Sequence, residues 1–141
     1  MKIYLSHAWK DNALAMRLAR CLREEGFSVW DSEEEINMGD NWAKIMGKAL
    51  DQAELMVLLF TPDSVDSDRV RADFNYAIGN QKLERRVFSV YVGPRSKIDK
   101  YVPWILLKLP HRQVESARGF GRVVKDIEAL SAATELSAAN A

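Results

Sequence analysis

The chain has only one cysteine, Cys21, among its 141 residues, and no excess of charge of either sign. A single cysteine excludes a disulfide within the chain, so nothing calls for an oxidising compartment. The 20 basic and 20 acidic residues balance, which argues against polyanion binding as the main activity. We therefore expect no direct nucleic-acid partner.

Long hydrophobic runs are also missing. The N-terminal segment MKIYLSHAWKDN has a short apolar run that soon meets charge, so it matches neither a signal peptide nor a membrane span. These features predict a cytoplasmic protein that does not associate with a membrane.

Several sequence motifs of known chemistry are absent. The chain has no GxxxxGK[ST] phosphate loop and no GxGxxG fingerprint after its first strand. His7, His111 and Cys21 lack metal-ligand spacing, and the acidic run Glu33–Glu35 is typical of a solvated loop. We expect neither a metal nor a bound cofactor.

Most of the sequence consists of short apolar segments that alternate with segments of helical periodicity. Strands buried on both faces are predicted at 3–5, 27–30, 55–60 and 87–92, with a weaker edge strand at 111–115. Apolar residues at helical spacing fill the intervals between the first three strands, and the next interval reads as a third helix from Ser67 or Asp68 to about Leu83. The pattern predicts a doubly wound, flavodoxin-like α/β fold with a parallel five-stranded sheet and helices on both faces.

The chain length and its final segment define the predicted domain organisation. A chain of 141 residues suits one domain. A closing helix is predicted from Phe120 to near Leu130, and residues 131–141 have no apolar period. We expect a domain over residues 1–130, followed by a frayed tail or linker.

Polar residues gather where the predicted strands end. Doubly wound sheets bind ligands outside the carboxyl ends of their strands. The residues at those ends are Ser6, His7, Trp30, Asp31, Thr61 and Ser64. Each of the polar residues could contact a ligand, cap a helix or stabilise its own loop through hydrogen bonds.

Four segments in order resemble Toll/interleukin-1 receptor (TIR) domains of the bacterial type. The opening KIYLSHAWKD is similar to the first strand and loop of that family, and GFSVWDSEEEINMGDNWAKIMGKAL to its second strand, BB loop and following helix. LMVLLFTPDSVDSDRVRADFNYA resembles the third strand and third helix, and RRVFSVYVG the fourth strand. The resemblance runs from Lys2 to about Leu130.

The resemblance implies two alternative functions. Many TIR domains cleave the bond between nicotinamide and ribose in NAD+ as glycohydrolases or cyclases, often in antiviral defence, whereas others only dock with further TIR domains. Active members carry a glutamate on the third helix, commonly four residues after a tryptophan. In this chain the matching positions are Asp73 and Arg69. A nucleotide-sugar transferase of related topology is a third alternative.

The resemblance also assigns roles to the loop residues. It makes Asp73 the catalytic carboxylate and NAD+ the substrate rather than a cofactor. A dinucleotide would rest at the strand ends, so the expected substrate-binding residues are Ser6, His7, Asp31, Thr61, Ser64 and Arg69, with direct contact favoured for His7 and Ser64. The implied surface for self-assembly with other TIR domains is Ile36, Met38, Gly39 and Asp40 in the BB loop.

Helical geometry leaves two interpretations of Asp73. At about 100° per residue, Asp73 falls at the margin of an apolar arc that includes Val70 and Phe74. It could be half shielded beside the strand ends and act on a sugar, or pair with Arg69 on a wet surface. Trp42, in an apolar stripe, is expected in the core rather than stacked on a base.

Overall fold

The computed structural model describes residues 1–31, 39, 41–98 and 102–140, with side chains up to residue 133. The strands are β1 (Lys2–Ser6), β2 (Ser28–Asp31), β3 (Leu55–Phe60), β4 (Val87–Val92) and β5 (His111–Val114). The helices are α1 (Asn12–Glu24), α2 (Trp42–Gln52), α3 (Asp68–Ile78), α4 (Arg95–Ile98), α5 (Trp104–Lys108) and α6 (Phe120–Asn140). Short 3₁₀ turns at Trp9–Asp11 and Ala117–Gly119 precede α1 and α6.

The five strands form one parallel sheet in the order β2-β1-β3-β4-β5. Every residue of β3 and β4 is buried, as expected for strands that helices cover on both faces. The polar strand β5 lies at one edge. The predicted doubly wound fold is confirmed.

Two apolar cores lie on opposite faces of the sheet, because side chains alternate along each strand. Helices α1 and α6 bury Leu18, Leu22 and Ile127 against Leu5 and Val57. On the other face, α3 and α5 pack against Tyr4, Met56 and Leu58. Helix α2 lies on the same face as α3 and α5, but none of its residues is fully buried.

Two helix ends differ from the sequence-based prediction. Helix α3 ends at Ile78 instead of near Leu83, because the Asn80 side chain accepts hydrogen bonds from the backbone N–H of Lys82 and Leu83 and forms a turn. Helix α6 continues to Asn140 through an alanine-rich segment, since alanine has the highest helix propensity. The N-cap Asp11 makes no side-chain capping bond to α1. The domain boundary at residue 130 stays a prediction.

Within the described ranges, none of the helices is both long and apolar enough to cross a membrane. The same part of the chain contains no group of three or more potential metal ligands.

Candidate functional site

The Asp73 carboxylate lies where α3 crosses the carboxyl end of β1. The Ser6 hydroxyl donates to Asp73 Oδ2 at 2.7 Å, and the Tyr4 hydroxyl is 3.3 Å from Oδ1. Asp73 is only 5% exposed. The interpretation of Asp73 as half of a wet surface pair is therefore wrong, because the margin of the α3 arc faces the sheet. The side chain is also more deeply buried than the half-shielded position that the other interpretation expected.

Burial and hydrogen bonding act in opposite directions on the ionisation of Asp73. Burial raises the pKa of this carboxyl above its ordinary value, while the Ser6 hydroxyl, the positive charge of Arg69, the Tyr4 hydroxyl and the charge of His7 oppose the rise. The net pKa remains raised. A carboxyl of this kind, next to specific charged partners, is typical of functional sites.

The Arg69 side chain on α3 contacts the Trp42 side chain on α2. Its guanidinium carbon lies 5.7 Å from the centre of the Trp42 ring, within the range of a cation–π contact. Trp42 is 46% exposed, so its expected place in the core is wrong. The apolar stripe of α2 rests only partly on the sheet, which leaves the indole at the helix start open on one side.

A buried ion pair joins the ends of β1 and β2. His7 Nε2 is 2.8 Å from Asp31 Oδ1, and His7 Nδ1 is 2.8 Å from the Ala8 carbonyl oxygen. Both ring nitrogens face acceptors, so the geometry fits an imidazolium that donates two hydrogen bonds. Burial lowers the pKa of His7, but the bonds to Asp31 and Ala8 outweigh burial, and the pKa is raised.

The raised pKa of His7 makes the stability of the protein depend on pH. A group whose folded pKa exceeds its unfolded value contributes stability that is full below the unfolded pKa and is lost as pH rises through the folded pKa. We expect the free energy of unfolding to fall as pH rises above about 6.5, with a slope of at most about 1.4 kcal/mol per pH unit, the limit for a single titrating group. Urea unfolding of the wild type and His7→Gln between pH 5.5 and 9 measures this slope. Equal slopes for the two proteins would contradict the expectation.

A second polar network ties the end of β3 to the start of α1. The Thr61 hydroxyl is 3.0 Å from Asp11 Oδ1, and the Ser64 hydroxyl donates to Asp11 Oδ2. Ser64 Oγ also accepts the backbone N–H of Thr61 at 3.0 Å. Thr61 and Ser64 thus bind the carboxylate of the N-cap residue of α1, which explains why Asp11 makes no side-chain capping bond.

The structure brings most of the predicted site residues to one edge of the sheet. Ser6, Arg69 and Asp73 form one group, His7 and Asp31 a second, and Thr61 and Ser64 a third with Asp11. Their roles in substrate binding stay predictions. Of the predicted partner surface, Gly39 is exposed with a φ of 90°, whereas Ile36, Met38 and Asp40 lie outside the described residues.

Sequence reasoning missed Tyr4, Asp11 and the contact of Trp42. A signal for Tyr4 existed, because residues two apart in a strand share a face and Tyr4 therefore lies on the same side as Ser6. No comparable sequence signal joins Asp11 to Thr61, which are 50 residues apart.

The fold and these contacts define a class: a doubly wound α/β domain with a buried, hydrogen-bonded carboxylate at the carboxyl edge of its sheet. A family model described as "TIR domain" matches residues 3–123. The chain belongs to the TIR domain family.

Two relatives illustrate its place in that family. A 2' cyclic ADP-D-ribose synthase, BtTIR from Bacteroides thetaiotaomicron, is 29% identical over 85 residues, which are 60% of this chain and 30% of that protein. A metazoan TIR-STING receptor from C. gigas, solved in complex with 2',3'-cGAMP, superposes with a TM-score of 0.69 at 15% identity. That alignment covers 89% of this chain and 38% of the receptor chain, and it supports the fold alone. The chain thus spans about a third of the length of each relative.

Proposed function

We propose that this domain cleaves NAD+ between nicotinamide and ribose, as a glycohydrolase or cyclase, with Asp73 as the catalytic carboxylate. The observation that carries the proposal is the burial of the Asp73 carboxylate between two hydroxyl donors at the carboxyl edge of the sheet. The cyclic ADP-ribose synthase among its relatives supports the same chemistry. NAD+ is the substrate, and no cofactor is proposed.

The chemistry requires one fixed negative charge. As the C–N bond breaks, its electron pair leaves with neutral nicotinamide, and positive charge grows on the ribose. A carboxylate held in a site of low polarity stabilises such an oxocarbenium-like transition state. Water then adds to give ADP-ribose and a proton, or a hydroxyl of the same molecule adds to give a cyclic product.

Positive charge near Asp73 suits the diphosphate of the substrate. Half-buried Arg69 is the group we assign to direct contact with the diphosphate, because guanidinium binds phosphate oxygens well. The buried His7 ring pairs with the Asp31 carboxylate, so the pair adds no net charge, and Arg69 is the cation that we assign to the substrate. Ser6, Asp31, Thr61 and Ser64 are assigned to shaping the cleft, since their side chains already bond to protein groups.

The test is nicotinamide release from NAD+ by the purified chain, at a concentration high enough for assemblies to form, with products separated by chromatography. Asp73 acts when ionised, so activity should fall as pH decreases through its raised pKa, and the acidic limb of kcat/KM should lie above pH 3.8. The absence of nicotinamide release from the assembled protein would overturn the proposal.

A second candidate is a docking module that assembles with other TIR domains without turnover. The exposed Trp42 side chain, close in sequence to Gly39 and the predicted partner loop, favours this function. Assembly that depends on protein concentration, measured by sedimentation and without nicotinamide release, would support docking alone. For either candidate, the proposed setting is cytoplasmic signalling in bacterial defence or stress.

A further inference from the structure

The Tyr4 hydroxyl lies in the core between the sheet and helix α3, which carries Asp73. The Tyr4 ring is buried and stacks on Trp30, with 4.9 Å between the ring centres and 20° between the planes. This stack fixes the direction of the phenol oxygen, which lies 3.3 Å from Asp73 Oδ1. Ser6, two residues further along β1, holds the other carboxylate oxygen at 2.7 Å.

We infer that Tyr4, together with Ser6, is a positioning residue that holds the Asp73 carboxylate in one orientation and in its ionised form for the cleavage of NAD+. This inference rests on the proposed function. It gives Tyr4 a role that neither its apolar strand context nor its place in the core reveals. Tyr4 acts through Asp73 and does not need to touch the substrate.

Hydrogen-bond chemistry supports the role. An ionised carboxylate only accepts, so each hydroxyl must donate its single proton to it. Burial, followed by the neighbouring charge of Asp73, raises the pKa of Tyr4 far above neutral pH, so the phenol stays protonated and able to donate. The two donors together fix a short side chain whose terminal torsion would otherwise vary broadly.

Removal of the phenol oxygen leaves the charges of Arg69 and His7 in place, and it removes the hydrogen bond between Tyr4 and Arg69 as well as the one to Asp73. Arg69 lies one turn earlier on α3, and His7, with its partner Asp31, lies beyond the end of β1. The Tyr4 hydroxyl lowers the pKa of Asp73 against the effect of burial. Its removal should therefore raise that pKa while Arg69, His7 and Ser6 still oppose the rise.

Tyr4→Phe separates positioning from packing, because phenylalanine keeps the buried ring and the stack on Trp30. The acidic limb of the kcat/KM profile for nicotinamide release should move to higher pH. At the acidic end the loss should be about tenfold, since hydrogen bonds to charged groups are the stronger ones. KM should change little. A role confined to packing predicts no movement of the profile.

The matched control is Tyr76→Phe on the same helix as Asp73. Tyr76 is exposed, and its hydroxyl accepts a hydrogen bond from Asn80 Nδ2 at 3.2 Å. This variant should keep the wild-type profile.

Carbon-13 NMR titration of the Asp73 carboxyl adds a readout that does not need turnover. An upward shift of the pKa in Tyr4→Phe but not in Tyr76→Phe supports the inference, and identical titrations in all three proteins overturn it. If the pKa of Asp73 shifts in Tyr4→Phe but not in Tyr76→Phe, and the wild type nevertheless releases no nicotinamide, then the positioning role of Tyr4 is supported and only the proposed function is overturned.

Discussion

Asp73→Asn should reduce NAD+ cleavage strongly while leaving the domain as stable as the wild type, or more stable. The amide keeps an oxygen that accepts from one hydroxyl, and its NH₂ group can donate to the other. The buried negative charge disappears, and with it the energetic cost that raises the pKa of Asp73. Loss of a charge that stabilises the transition state reduces kcat by about 10²–10³-fold.

The comparison needs two further variants at the same position. Asp73→Ala should be inactive and also less stable, by about 1–3 kcal/mol, because the Ser6 and Tyr4 hydroxyls lose their acceptor. Asp73→Glu tests whether the shorter side chain limits the rate, and a rise in kcat would indicate a weakened enzyme. Nicotinamide release and urea unfolding measure both properties. Wild-type turnover by Asp73→Asn would remove Asp73 from the mechanism.

Asp31→Ala should destabilise the domain by about 3 kcal/mol or more at pH 5.5, because removal of one partner of a buried ion pair leaves the other charge uncompensated. The loss should be smaller at pH 8, where His7 can lose its proton and remain as a neutral ring that donates to the Ala8 carbonyl. Urea unfolding at the two pH values measures the difference.

Asp66→Ala is the control for this effect, since Asp66 is an exposed aspartate of the same domain. It should change the free energy of unfolding by no more than about 0.5 kcal/mol at either pH. If Asp31→Ala costs no more than this control at pH 5.5, then His7 and Asp31 do not form a stabilising ion pair in solution.

Much of the fold could be predicted from the sequence, because β3 is an unbroken apolar segment and β4 is interrupted only by Ser89, a pattern typical of strands that helices cover on both faces. Helix ends were less predictable. The Asn80 turn that ends α3 depends on hydrogen bonds from a single side chain. The alanine-rich end of α6 has helix propensity without an apolar stripe, and a search for periodicity does not detect it.

The candidate site was predictable as a location but not as a set of contacts. The rule that ligands bind at the carboxyl ends of strands placed Ser6, His7 and Asp31 at the correct edge. The depth of Asp73 was not predictable, because a residue on the margin of a helical arc can face either the sheet or the solvent. Only the packing angle of α3 on β1 settles that choice, and neither segment encodes it alone.

The strand order has a consequence for how the chain reaches its native state. Strand β3 pairs with β1 on one side and β4 on the other, and the register joins Ile3 to Leu55 across about fifty residues. Such distant partners make folding slow compared with helical bundles of similar size. Before β1 and β4 pair with β3, its uncharged apolar segment LMVLLF is exposed. In that state it can form intermolecular β-sheet with the same segment of another molecule. The folded domain buries this segment. Expression at high temperature should nevertheless favour inclusion bodies, because the segment is exposed before folding is complete.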